Sequence, residues 1–113
     1  MGLFISCGKP LPTLSGVNLE MWKEDKNGCN GVRKSMETSL RLELVKLKGL
    51  SEMDIISMFG RPDENELYKR NQKFYYYFVT PGPGCAGSDS VSTALSLRFN
   101  AMGYAQLVAI DKR

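Results

Sequence analysis

Apolar residues recur at helical spacing in the first half of the chain and alternate in the second, so the period alone divides it into two regimes. From Lys34 to Lys48 the residues Met36, Leu40, Leu44 and Leu47 follow one another at steps of four, four and three. They form one apolar stripe, which predicts a helix across that span. Lys46 and Lys48 suit the negative end of its dipole, and Gly49 suits the position just past it. The next segment carries its own boundaries. Ser51-Glu52-Met53-Asp54 reads as an N-cap with an acidic residue three places on, a variant of the capping box. Leu50 and Ile55 are placed to pack across that cap, and Ile55, Ile56 and Phe59 supply the buried face. Gly60 and Pro62 end the helix. Between Thr13 and Arg33 the signal is weaker. Leu14, Val17, Met21 and Trp22 predict only a short helical turn before a Gly/Asn-rich loop, with Trp22 packing into the core.

After Asp63 the period changes to two. Glu66–Lys69 is a short candidate strand and 70–72 a turn. Lys73–Thr80 reads KFYYYFVT, a strong strand signal with Phe74, Tyr76 and Phe78 on one face and Tyr75, Tyr77 and Val79 on the other. A strand that is aromatic on both faces belongs in the middle of a sheet with one face on the helices. Pro81–Ser92 is a Pro/Gly/Ser loop, too long for a tight hairpin and the best candidate for a functional loop. Thr93–Phe99 alternates, with Leu95, Leu97 and Phe99 inward. Asn100–Gly103 is a hairpin turn and Tyr104–Ile110 the last strand. The expectation is an α+β domain over residues 13–113. Two N-terminal helices would pack on one face of a three- or four-stranded antiparallel meander.

Composition narrows the function classes. A chain of 113 residues supports one core. The net charge of +3 is spread among interspersed acids and bases, without the basic stripe that nucleic-acid binding uses. There is no histidine, which removes the commonest general base and every Ser/His or Cys/His pair. Asp63, Glu64 and Glu66 cluster at a helix-to-strand loop and read as solvated. Ser88-Asp89-Ser90 lacks the context of a nucleophile elbow, and Pro81–Gly84 lacks the helix and G-K-[ST] of a phosphate cradle. The reading is a non-enzymatic binder with no cofactor, metal, nucleic-acid or small-molecule partner. Its candidate protein-binding surface is an exposed pair, Tyr75 and Tyr77, flanked by Lys73 and Arg98. The alternative is that a loop or the N-terminal segment covers these rings.

Three cysteines remain. Cys29 and Cys85 each sit in a Gly-rich loop, where a reduced structural thiol is not expected, and so suggest a disulfide formed in an oxidising compartment. The alternative is a pair of free thiols in a reducing one. Three readings compete for residues 1–12, MGLFISCGKPLP. In the first, Leu3–Cys7 is the end of a lipoprotein signal with Cys7 as the lipidation site, although Phe4 stands where Leu is usual, and Gly8–Pro12 is the tether. In the second, Gly2 is myristoylated, since the opening matches M-G-x-x-x-[ST]. In the third, the segment is an ordinary arm.

The segment KGLSEMDIISMFGRP, Lys48 to Pro62, resembles the "G-(M/L)-(T/S)-x-x-(E/D)-V/I … (L/F)-G-x-P" motif of the SmpA/OmlA/BamE lipoproteins. The Tyr-rich strand and the Leu97–Gly103 hairpin resemble that family's later features, so the resemblance spans residues 48 to 111. It implies a β-lactamase-inhibitor-protein-like fold and a lipid-anchored, periplasmic accessory of the outer membrane. The Cys29/Cys85 pair and the Tyr75-Tyr76-Tyr77 run depart from the family pattern. The functional expectation is an envelope lipoprotein that binds or scaffolds another envelope protein, possessing a membrane anchor. The alternative is a secreted or periplasmic enzyme inhibitor.

Overall fold

The computed structural model describes residues 11–67, 72–86 and 91–113. The N-terminal half is helical and the C-terminal half is sheet. Asn18 caps α1, Leu19–Glu24, by accepting from the Met21 N–H. A 3-10 turn over Lys26–Gly28 follows, then α2, Val32–Ser35, and α3, Glu37–Glu43. A second 3-10 turn, Leu44–Leu47, leads to α4, Glu52–Phe59. The strands are β1, Glu64–Leu67; β2, Lys73–Phe78; β3, Thr93–Phe99; and β4, Ala105–Lys112. They form one antiparallel sheet in the order β1-β2-β3-β4. The fold is α+β, with the helices preceding the sheet in the chain and packing on one face of it.

Local signals account for the clearest elements. The Ser51 hydroxyl accepts from the Asp54 N–H at 3.1 Å while the Asp54 carboxylate accepts from the Ser51 N–H at 3.2 Å, completing the capping box. At the other end of α4 the Gly60 N–H bonds to the Ile56 carbonyl with φ at 82°, a conformation that glycine adopts without steric cost. The span expected as one helix from Lys34 to Lys48 is broken instead. Met36, at φ −101° and ψ 0°, separates α2 from α3, and Leu44–Leu47 tightens into a 3-10 turn. The break lets α2 turn Arg33 toward the end of β2 while α3 turns Leu40 onto the sheet. The apolar stripe survives it, because Met36, Leu40 and Leu47 all enter the same core.

That core lies between the helices and one sheet face. Trp22, Leu40, Ile55 and Phe59 meet Tyr77, Leu95, Leu97 and Phe99 there, all fully buried. Trp22 stands edge-on to Phe59 with ring centroids 5.5 Å apart, and Phe59 tilts against Tyr77 at 5.7 Å. Register decides which face of β2 looks inward. Tyr75 stands opposite Leu97, and Tyr77 opposite Leu95, so both tyrosines share the leucine face.

Candidate protein-binding surface

The expectation that Tyr75 and Tyr77 form an exposed pair is overturned. Both are buried under the helices, and each spends its hydroxyl on α4. Tyr75 Oη donates to Glu52 Oε1 at 2.7 Å, and Tyr77 Oη donates to the Gly60 carbonyl at 2.7 Å. The two rings therefore hold α4 at its first residue and just past its last. Burial, reinforced by the Glu52 carboxylate, pushes the Tyr75 phenol up to about 12. Burial also raises Tyr77 well above the usual tyrosine range. The physical reason for the inversion is that a tyrosine can bury its ring and still satisfy its hydroxyl at the edge of a helix.

On the opposite face Phe74 stacks on Tyr76, with centroids 6.0 Å apart and planes 6° from parallel. The Arg113 guanidinium lies 3.8 Å above the Tyr76 ring while pairing with Glu64 and Glu66. Phe78 is covered by the chain at Gly82, where a Cβ would stand 2.6 Å from its ring. Lys73 and Arg98, expected to flank one site, lie on opposite faces. Lys73 pairs in register with Phe99, whereas Arg98 stands opposite Phe74 and Leu107. Among the described residues Arg98 Nε is buried without a hydrogen-bond partner.

The Cys29–Cys85 disulfide is formed, with the two Cα atoms 5.4 Å apart. It joins the end of the first 3-10 turn to the loop after β2. Beside it lies a polar cluster that sequence reasoning missed. Arg33 is buried, with Nη1 at 2.6 Å from Asp63 Oδ2 and 3.1 Å from the Phe78 carbonyl, and Nε donating to the Trp22 carbonyl. Its guanidinium carbon is 4.8 Å from the centroid of the Trp22 ring. Asp63 also accepts from the Asn27 and Phe78 N–H groups, so the acid expected to be solvated is buried and fully engaged. Asp25 accepts from the Asn30 and Arg33 N–H groups. Every partner in this cluster is internal, which makes it a clasp for the fold. Its one local signal is that Asp25 and Arg33 bracket the Gly/Asn-rich turn.

Four exposed apolar residues are carried by segments that meet at one end of the sheet, near Lys73. Met53, Leu67, Met102 and Tyr104 are 70%, 71%, 78% and 47% exposed. Their placement follows from the backbone. Leu67 pairs in register with Lys73, whose Nζ lies 3.3 Å from Glu52 Oε1. Glu52 precedes Met53 and donates its N–H to the Gly103 carbonyl, between Met102 and Tyr104. Tyr104 itself bridges to Ser51. The segments that carry these four apolar side chains thus meet at one ion pair. A shallow hollow of about 210 Å³ lined by Asn65, Leu67, Lys73 and Tyr75 lies alongside.

Elsewhere a groove of about 680 Å³ runs along the N-terminal segment and α1, lined by Leu14, Val17, Leu19, Val32 and Met36. Among the described residues Glu20 is its one ionisable residue. Among the described residues no cluster of His, Cys, Asp and Glu could hold a metal ion, and no helix is long and apolar enough to cross a membrane. Cys7, the Ser88-Asp89-Ser90 run and the turn before β2 lie outside the described residues. Comparison of the chain with family models, with curated proteins and with solved structures returns no match.

Proposed function

We propose that this protein is a non-catalytic binding or scaffolding module of a bacterial cell envelope. In this reading it is lipid-anchored through Cys7 on the periplasmic side and engages another envelope protein. The observation that carries the binding claim is the exposure of Met53, Leu67, Met102 and Tyr104 on segments that meet at the Glu52–Lys73 pair. Exposed apolar side chains that come together on one surface mark interaction sites. Methionine suits that role, because its unbranched side chain repacks against varied partner shapes. A central ion pair with apolar neighbours gives a partner both area and register. Support for the compartment comes from the Cys29–Cys85 bridge, since disulfides persist where glutathione and thioredoxin do not reduce them. The resemblance of residues 48–111 to the SmpA/OmlA/BamE lipoproteins points the same way, toward outer-membrane assembly.

The test compares the wild-type chain with the triple variant Met53→Ser, Leu67→Ser, Met102→Ser in gently solubilised membranes of the producing cell. All three side chains are exposed, so the variant keeps its core. The wild type is expected in a complex larger than the single chain, and the variant as the free chain. Equal migration of both would remove this surface from the reading. A soluble hydrolase as the sole partner would replace scaffolding with inhibition.

A further inference from the structure

A second exposed apolar feature lies beside residues 13–15. Leu42 and Val45 are 77% and 73% exposed, three residues apart as α3 passes into the second 3-10 turn. They project away from Leu40 and Leu47, which are fully buried against the sheet. The charges around them are layered. Arg41 pairs with Glu37 and Lys46 with Glu43, and in each pair the cation is the more exposed partner while the carboxylate lies deeper. Lys48 follows, also exposed. What this surface offers to solvent is therefore two aliphatic side chains set among three cationic heads.

We propose that this face, Leu42 and Val45 among Arg41, Lys46 and Lys48, rests on the headgroup layer of an anionic phospholipid bilayer. An interfacial surface needs apolar side chains that enter the headgroup boundary and cations that meet lipid phosphates, and this segment has both. The chain entry point argues for the same occupant. Lys46 Nζ donates to the Thr13 carbonyl at 3.0 Å, and the Ser15 N–H donates to Glu43 Oε1 at 3.0 Å. Residues 13–15 are thus fixed on the flank of this very segment. Cys7 stands four positions before Leu11, and four residues span at most about 14 Å. An acyl group at Cys7 would hold this flank at the membrane. The inference rests on the lipid-anchored reading for that tether, and on exposure and charge for the rest.

The test supplies the anchor chemically. With Cys29 and Cys85 joined, Cys7 is the one remaining cysteine and can be coupled to a maleimide-bearing lipid. The coupled full chain is placed on vesicles of phosphatidylcholine and phosphatidylserine in equal parts, doped with a lipid that generates a carbene in its headgroup. After irradiation, trypsin releases Leu42–Lys46 as one peptide, because cleavage follows Arg41 and Lys46. Insertions are expected to concentrate in that peptide, and to fall several-fold in a Leu42→Ser, Val45→Ser variant. They should also fall on vesicles of phosphatidylcholine alone. Labels spread evenly over the surface, or centred on the peptides holding Met53 and Met102, would overturn the proposal. The mass of natively produced protein at Cys7 separates the two readings. An unmodified Cys7 with labels at Leu42–Lys46 would remove the native anchor and keep the face. An acylated Cys7 with labels elsewhere would do the reverse.

Discussion

The Arg33 guanidinium closes the N-terminal half of the chain over the end of β2. It reaches the Asp63 carboxylate, two backbone carbonyls and the face of Trp22 from a position with almost no solvent access. A buried charge of this kind is tolerable only while its partner is present, since removing one member leaves the other desolvated and unpaired. Arg33→Ala is therefore expected to destabilise the fold by about 3–5 kcal/mol. Arg113→Ala removes a partly exposed guanidinium from Glu64 and Glu66 and should cost under about 1 kcal/mol. Urea unfolding of the two variants beside the wild type measures both, and comparable losses would refute the asymmetry. None of this was legible in the sequence. Arg33 and Asp63 stand 30 positions apart, and no local spacing distinguishes a buried pair from two solvated charges.

At the scale of elements, two tyrosine hydroxyls of β2 tie α4 at both ends. Its capping box, its glycine stop, the alternation of β3 and the Asn100–Gly103 turn were all legible, since each is a short-range signal. The inward face of β2 was not, because six consecutive strand residues include aromatics on both sides and only pairing with β3 breaks the tie. One consequence is sensitivity to alkali. The Tyr75 phenol, buried and bonded to Glu52, is held near 12, against about 10 in an unfolded chain. A raised folded value means that the fold favours the protonated phenol. The stabilisation is thus fully present below about pH 10 and lost as pH rises toward 12. Tyr75→Phe should lower stability at neutral pH by roughly 1 kcal/mol, for the lost hydrogen bond. It should also flatten the decline above pH 10, to which the raised Tyr76 and Tyr77 phenols still contribute. Urea midpoints across that range decide the matter, and parallel curves for variant and wild type would refute it.

Across the whole molecule, the disulfide and the polar clasp fasten the same corner, where the first 3-10 turn lies against the loop after β2. Gly28 has φ at 66°, and a Cβ there would stand 2.8 Å from the Phe78 carbonyl, so the turn and the sheet end are in direct backbone contact. The Gly82 N–H bonds to the Asn27 carbonyl, and the Asn27 N–H to Asp63. The pairing of Cys29 with Cys85 was legible because both sit in loops. The clasp beside it was not, because its members are recruited from distant segments. The bridge spans 56 residues, and on the chain-entropy account closing such a loop stabilises by about 4 kcal/mol. Small domains have roughly 5–15 kcal/mol in total, so this is a large share. The Cys29→Ser, Cys85→Ser variant is expected to remain folded, because the Asn27, Gly82 and Arg33 contacts stay in place. Its urea midpoint should drop in proportion to that loss. Dithiothreitol should lower the wild-type midpoint to the variant's value and leave the variant unchanged. If reductant shifted neither midpoint, that corner would be held by the polar clasp without the bridge, and the disulfide would no longer support an oxidising compartment.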